Sequence, residues 1–229
     1  MRFVFLLLAA ALPASAILYN VDQPVPISLA HAEYYLSGRL WGNGGVLMRF
    51  GLGLFDRLTL GMSYGGNSVL GAEAPKFFDR YRPDLQARIA ILQEQGYVPN
   101  LVLGFDSQGY DDCSLKVYKV PEKGGYLCVG KTVEVISTHC QLGVNYWDGF
   151  DGFLALNALL PGDVELIAEY DPAFNNHDEQ LRHRGFLNFG VAYTLAERVR
   201  MVLALRDLLG ALESTRLNRV FEISYVEQF

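Results

Sequence analysis

The last eleven residues, Arg219–Phe229, read RVFEISYVEQF, and they constrain the fold more than any other stretch. Phe221, Ile223, Tyr225 and Phe229 share one parity, while Glu222, Ser224 and Gln228 share the other. Alternation with a period of two describes an extended strand with one apolar and one polar face. A chain ending on such a strand either leaves it at the edge of a soluble sheet or uses it to close a barrel. The choice depends on whether the pattern recurs.

It recurs along the whole chain. Strands with the same alternation are expected at Ile27–Leu40, Val46–Phe55, Leu58–Gly65, Leu85–Leu92, Pro99–Ser107 and Gly125–Thr132. Further ones are expected at Ser137–Tyr146, Phe153–Leu160, Val164–Tyr170, Gly185–Thr194 and Arg198–Leu205, ahead of the terminal strand. In the second of these, Met48, Phe50, Leu52 and Leu54 oppose Arg49, Gly51 and Gly53. The fourth is ambiguous, because the stretch QARIAILQEQ is also a good helix former.

The connections have two lengths. Tight turns fall around Asp56, Gln95, Glu134, Gly162 and Glu197, whereas residues 66–83, 108–124, 171–184 and 207–218 form long segments. Short turns at one end and long loops at the other are the sidedness of outer-membrane barrels. Aromatic residues gather at predicted strand ends, with Trp41, Tyr64, Tyr146 and Tyr170 at one and Phe55, Tyr193, Tyr225 and Phe229 at the other. Two interfacial girdles predict that placement. The fold class expected is all-β: a transmembrane antiparallel up-and-down β-barrel of about twelve strands.

Residues 1–16 read as a secretory signal: Arg2, the apolar run Phe3–Leu12, Pro13 and the small residues Ala14-Ser15-Ala16. The barrel is then residues 17–229, and the expected location is the bacterial outer membrane, in contact with its lipid. Beyond the amino terminus no uninterrupted apolar run is long enough for a membrane-spanning helix. A net charge of −6 gives no basic footprint for nucleic acid. The terminal strand resembles the closing strand of bacterial outer-membrane barrels. That resemblance implies that Phe221, Ile223, Tyr225 and Phe229 form the signal read by the barrel-assembly machinery.

Several phrases form a further set: FDRLTLGMSYGG at 55–66, YVPNLVLGFDSQGYDD at 97–112, GVNYWDGFDG at 143–152, AEYD at 168–171 and LNFGVAYTLAERVRMVLALRDLL at 187–209. In order and spacing the set is similar to the barrel domains of YjbH-like outer-membrane proteins, which are associated with exopolysaccharide or capsule production. The resemblance implies a non-enzymatic envelope protein that supports polysaccharide secretion, with export components as partners. It offers no catalytic residue to transfer.

The inward parity carries Glu33, Arg39, Arg49, Arg88, Asp106, Glu165, Glu169, Arg200, Arg206 and Glu222. One reading is an internal ion-pair network that fills the barrel. The other is a charge-selective pore, that is, a small passive porin-like channel for ions or small solutes. Barrel closure would set the strand of Glu222 between those of Arg39 and Arg200, and Glu222 is expected to pair with at least one of the two.

An outer-membrane lipid hydrolase is the weakest alternative. His31 and His139 face inward by parity, His177 and His183 lie in a polar segment, and no Gly-x-Ser-x-Gly elbow occurs. No His or Cys pair has metal-ligand spacing, so neither a metal nor a cofactor is expected. A hairpin centred on residue 134 would set Cys128 opposite Cys140; unpaired thiols are the other reading, and Cys113 completes the set.

Overall fold

The computed structural model describes residues 17–77, 83–109, 123–175, 185–211 and 218–229. The signal segment 1–16, Cys113, His177 and His183 lie outside the described residues.

The strands run in chain order as β1 (Glu33–Trp41), β2 (Gly45–Leu54), β3 (Leu58–Asn67), a two-residue β4 (Lys76–Phe77), β5 (Asp84–Leu92), β6 (Asn100–Asp106) and β7 (Gly124–Val133). They continue as β8 (Thr138–Tyr146), β9 (Phe150–Leu160), β10 (Val164–Asp171), β11 (Phe186–Leu195), β12 (Val199–Arg206) and β13 (Asn218–Gln228). Every pairing is antiparallel; successive strands pair, except that β3 pairs with β5 past β4, and β1 pairs with both β2 and β13, so the sheet closes on itself. The result is a closed barrel of twelve strands, with β4 a short addition on the far half of β3. Closure leaves no sheet edge, so the backbone satisfies its own hydrogen bonds, as a hydrocarbon surround requires.

Alternation along each strand sorts side chains between two faces. On β2, Met48 and Phe50 are exposed on the outer surface while Leu47 and Arg49 are buried inside. On β13, Ile223 is exposed while Glu222 and Ser224 are buried. The outer surface is apolar and the inner one polar and charged, the reverse of a soluble sandwich and the arrangement of a lipid-embedded barrel. Residues 84–92 form a strand: a helix there would open the barrel wall between β3 and β6.

Two local expectations are corrected. The first strand begins at Glu33, not Ile27, because Ala32 takes a left-handed backbone (φ 62°) that breaks the extended run. Trp41 belongs to no lipid-facing girdle: it points inward, and its Nε1–H donates to Asn67 Oδ1 at 3.0 Å. Its indole occupies the place where a Cβ on Gly45 would stand, so the bare glycine admits the ring.

Candidate functional site

Residues 17–32 form no part of the wall. They enter the lumen at the end where β1 and β13 begin and finish, and residues 18–25 fold there into a tight hairpin. Val25 N–H donates to Leu18 O at 3.0 Å, Asn20 N–H donates to Gln23 O at 2.9 Å, and Tyr19 bridges to Pro24. Leu18 through Val25 are all buried. Pro24 and Pro26 suit this segment, since proline cannot donate to a sheet ladder and is excluded from central strands.

The inner wall is shaped to receive the hairpin. A Cβ on Gly53 would stand 1.9 Å from Ala30 O, and one on Gly130 2.5 Å from the Pro26 ring. Gly51 and Gly190 lie against Leu18 and Val21 in the same way. Leu29 N–H donates to Thr59 Oγ1 at 2.8 Å, tethering the returning arm to β3.

Polar contacts hold the tip. Glu169 on β10 accepts three successive backbone N–H groups: Asp22 to Oε1 at 2.8 Å, and Val21 and Gln23 to Oε2 at 3.1 and 3.2 Å. Successive N–H groups in a turn form a natural anion cradle. The Asp22 carboxylate faces other strands. Arg39 Nη1 donates to its Oδ1 at 2.8 Å, Arg206 Nη1 to the same atom at 3.3 Å, and Asn188 Nδ2 to Oδ2 at 3.2 Å. Arg39 also donates to Val21 O.

Around the tip, Tyr19 OH donates to Asp106 Oδ2 at 2.6 Å, and the guanidinium groups of Arg49 and Arg88 lie 4.5 and 5.0 Å from the Tyr19 ring centre. Arg88 Nη1 donates to Leu18 O at 2.9 Å. Gln23 Nε2 donates to Asp171 Oδ2 at 3.0 Å, and Asn157 Nδ2 donates to Asn20 Oδ1 at 2.7 Å.

The charged residues of the inward parity therefore have distinct places. Arg39, Arg88, Asp106, Glu169 and Arg206 touch the hairpin through hydrogen bonds, and Arg49 touches it through the Tyr19 ring. Glu222 is paired within the wall, with Arg39 and, at 3.2 Å, with Arg49, and accepts from Tyr35 OH at 3.1 Å. Arg200 pairs with Glu165 at 2.8 Å, not with Glu222. Glu33 sits at the rim, where Oε2 accepts the Ala30 N–H at 2.8 Å.

The five arginines stand on β12, β1, β2 and β5, whereas Asp151, Glu165, Glu169 and Asp171 stand on β9 and β10. The arginines share their side of the wall with two acids, Glu222 on β13 and Asp106 on β6. At the long-loop end Lys123 Nζ meets Asp171 at 2.5 Å. Burial opposes charge on Lys123, but the Asp171 carboxylate outweighs it and raises the ammonium pKa above its usual range.

The remaining candidates have structural partners. His31 Nδ1 accepts the Phe55 N–H at 3.2 Å at the rim, and His139 Nδ1 lies 3.2 Å from Thr132 Oγ1. Among the described residues no group of three or more His, Cys, Asp or Glu side chains could hold a metal ion. The β7–β8 register sets Cys140 opposite Lys131 and Cys128 opposite Gly143, so Cys128 faces the lumen and Cys140 the outer surface. Both are free thiols, the second of the two readings open from the sequence, because the register does not set Cys128 opposite Cys140. On β13, Phe221, Ile223 and Tyr225 face outward, and Phe229 is exposed with its ring 4.9 Å from that of Tyr34.

No family model and no curated protein matches the chain. Among solved structures it is similar to a KdgM porin, with a TM-score of 0.52 at 8% identity, covering 86% of this chain and 99% of that one. A KdgM porin in complex with disordered oligogalacturonate gives 0.51 over the same shares, again at 8% identity. The outer membrane phospholipase A of Escherichia coli gives 0.44 at 13% identity, covering 89% of this chain and 98% of that one. None of these comparisons supports the specific resemblance to YjbH-like proteins. At such identities the likeness to the KdgM porins is one of fold, and it identifies the chain as an outer-membrane-type β-barrel.

Proposed function

We propose that the protein is a porin-like outer-membrane barrel kept closed by its own N-terminal hairpin. With residues 17–29 seated it does not conduct; with the hairpin displaced it passes small hydrophilic solutes through a charged lumen. The observation that carries this reading is the way the tip is held. Asn20–Gln23 are bound to the wall largely by hydrogen bonds and ion pairs, which water or a solute can replace. The wall behind the tip is lined by buried charges of both signs, as a polar conduit requires. The fold shared with KdgM porins, one of them in complex with oligogalacturonate, agrees with a conduit.

The test is conductance in a planar bilayer. The intact chain is expected to be silent, and Asp22→Ala, Glu169→Ala and the pair together are expected to show discrete openings of rising frequency. Silence in all three, with heat-modifiable mobility proving each barrel folded, would leave a permanently filled envelope protein instead.

A further inference from the structure

Asp22 performs two functions at once. Its carboxylate, fully buried, receives donors from Arg39, Arg206 and Asn188. Its own N–H, on the second carbon from that carboxyl carbon, donates to Glu169 at 2.8 Å. Asn188 joins the halves, because the Nδ2 that donates to Asp22 also donates to Glu169 Oε1 at 2.7 Å. All four of these partner side chains belong to the wall, on β1, β10, β11 and β12. They stay in the barrel when the hairpin leaves.

Displacing the tip takes one carboxylate from two buried guanidinium groups, of which Arg39 keeps Glu222, and three N–H donors from the buried carboxylate of Glu169. Both losses are costly in a confined, weakly solvated space. A solute that restored both would be held there. It needs a carboxylate to stand where the Asp22 side chain stands. It also needs a hydroxyl donor on the second carbon from the carboxyl carbon, where the Asp22 N–H stands. A hydroxylated carboxylate meets both needs; a neutral polyol meets only the second, and a simple fatty acid only the first. We infer that the hairpin tip is an internal stand-in for a hydroxylated carboxylate solute, and that Arg39, Arg206, Asn188 and Glu169 form a receptor for which tip and solute compete. The inference rests on the displaceable hairpin, since the two share one site.

The experiment uses the full chain in detergent micelles and three probes: D-gluconate, D-glucitol (the same carbon chain without the carboxylate) and acetate. Affinities are measured by titration calorimetry for the intact protein, Asp22→Ala, Asp22→Asn, and Asp22→Ala combined with Arg206→Gln. Removing the competing carboxylate is expected to tighten gluconate binding at least about tenfold, a change of about 1.4 kcal/mol. Glucitol and acetate should bind at least about tenfold more weakly than gluconate, and the Arg206→Gln combination should lose the preference. Asp22→Asn keeps the side-chain shape and should give the same order if Asp22→Ala does not fold. Equal affinities for gluconate and glucitol, or no gain on removing Asp22, would overturn the receptor. Currents recorded on the same preparations separate the two readings. Selective binding without current in any variant retains the receptor and sinks the conduit. Current through Asp22→Ala that gluconate leaves unchanged retains the conduit and sinks the receptor.

Discussion

Glu222 on the closing strand lies directly across from Arg39 on the first strand, and the two side chains are ion-paired inside the barrel. The pair fastens the seam where the ends of the chain meet. Arg39 also holds Asp22, so one guanidinium joins the seam to the hairpin.

Removing Glu222 leaves two buried guanidinium groups short of their shared anion. Glu222→Ala is expected to cost about 3–5 kcal/mol in urea unfolding, with part of the loss recovered in the double variant with Arg39→Ala. Arg200→Ala should show little coupling to Glu222, because Arg200 pairs with Glu165. Small additive effects in the Arg39 cycle would show that water already screens the seam.

Cys128 is a native reporter for the hairpin, fully buried with its Sγ 3.7 Å from Pro24 O. With Cys113 and Cys140 replaced by serine, its reaction with a hydrophilic thiol reagent should be slow. Glu169→Ala removes the acceptor of three N–H groups, each worth about 1.5–3 kcal/mol as a bond to a charged group, and should raise the labelling rate at least about tenfold. Unchanged labelling by mass spectrometry would mean that Glu169 does not hold the tip and that its other contacts suffice.

The terminal aromatic is exposed and stacks only at the rim. Deleting Phe229 should therefore leave the stability of the assembled barrel nearly unchanged while lowering outer-membrane yield. Normal yield and normal heat-modifiable mobility would remove the residue from the assembly signal.

Sidedness is tested by single cysteines in a cysteine-free background. Leu70, exposed in the long connection after β3, should label from intact cells, and Asp163, in the tight β9–β10 turn, should not. The opposite pattern would invert the topology.

Glu94 ties two short turns together, accepting from Lys131 Nζ at 2.8 Å and from the Thr132 N–H at 2.9 Å. Partial burial opposes its charge, but these bonds outweigh it and hold its carboxyl below the usual range. A lowered folded pKa means that the unfolded chain binds the proton first. The stabilisation is therefore complete above the ordinary carboxylate value of about 4.3 and is lost as pH falls through the lower folded one. Glu94→Gln should flatten that acid limb of the unfolding profile, and an unchanged limb would discount the contact. Because the group is partly exposed, the effect should be small.

The order of the twelve wall strands and the alternation of their faces were readable along the chain, because side chains alternate locally and lipid on one side with polar filling on the other writes that alternation into composition. The inward placement of Arg39, Glu169 and Arg206 follows from parity alone. The hairpin was not readable in this way. Its segment has no period, and its partners lie far along the chain: Asp106 is 87 residues from Tyr19, and Glu169 is 147 from Asp22. The nearest local signal was Pro24 and Pro26 in a stretch assigned to no strand. Trp41 had the right parity to face inward, but its position at a strand end favoured the girdle; the bare backbone of Gly45 decided otherwise.

The sequence by itself determined that this chain makes a closed barrel with a lipid-facing exterior and a charged interior, since both follow from period-two patterning and connection length. Only the tertiary structure decided what fills that interior. Which arginine serves Glu222, and whether a carboxylate faces water or a folded hairpin, depend on contacts between strands far apart in sequence. Coulomb attraction and hydrogen-bond geometry select those partners after closure, and no local pattern records the choice.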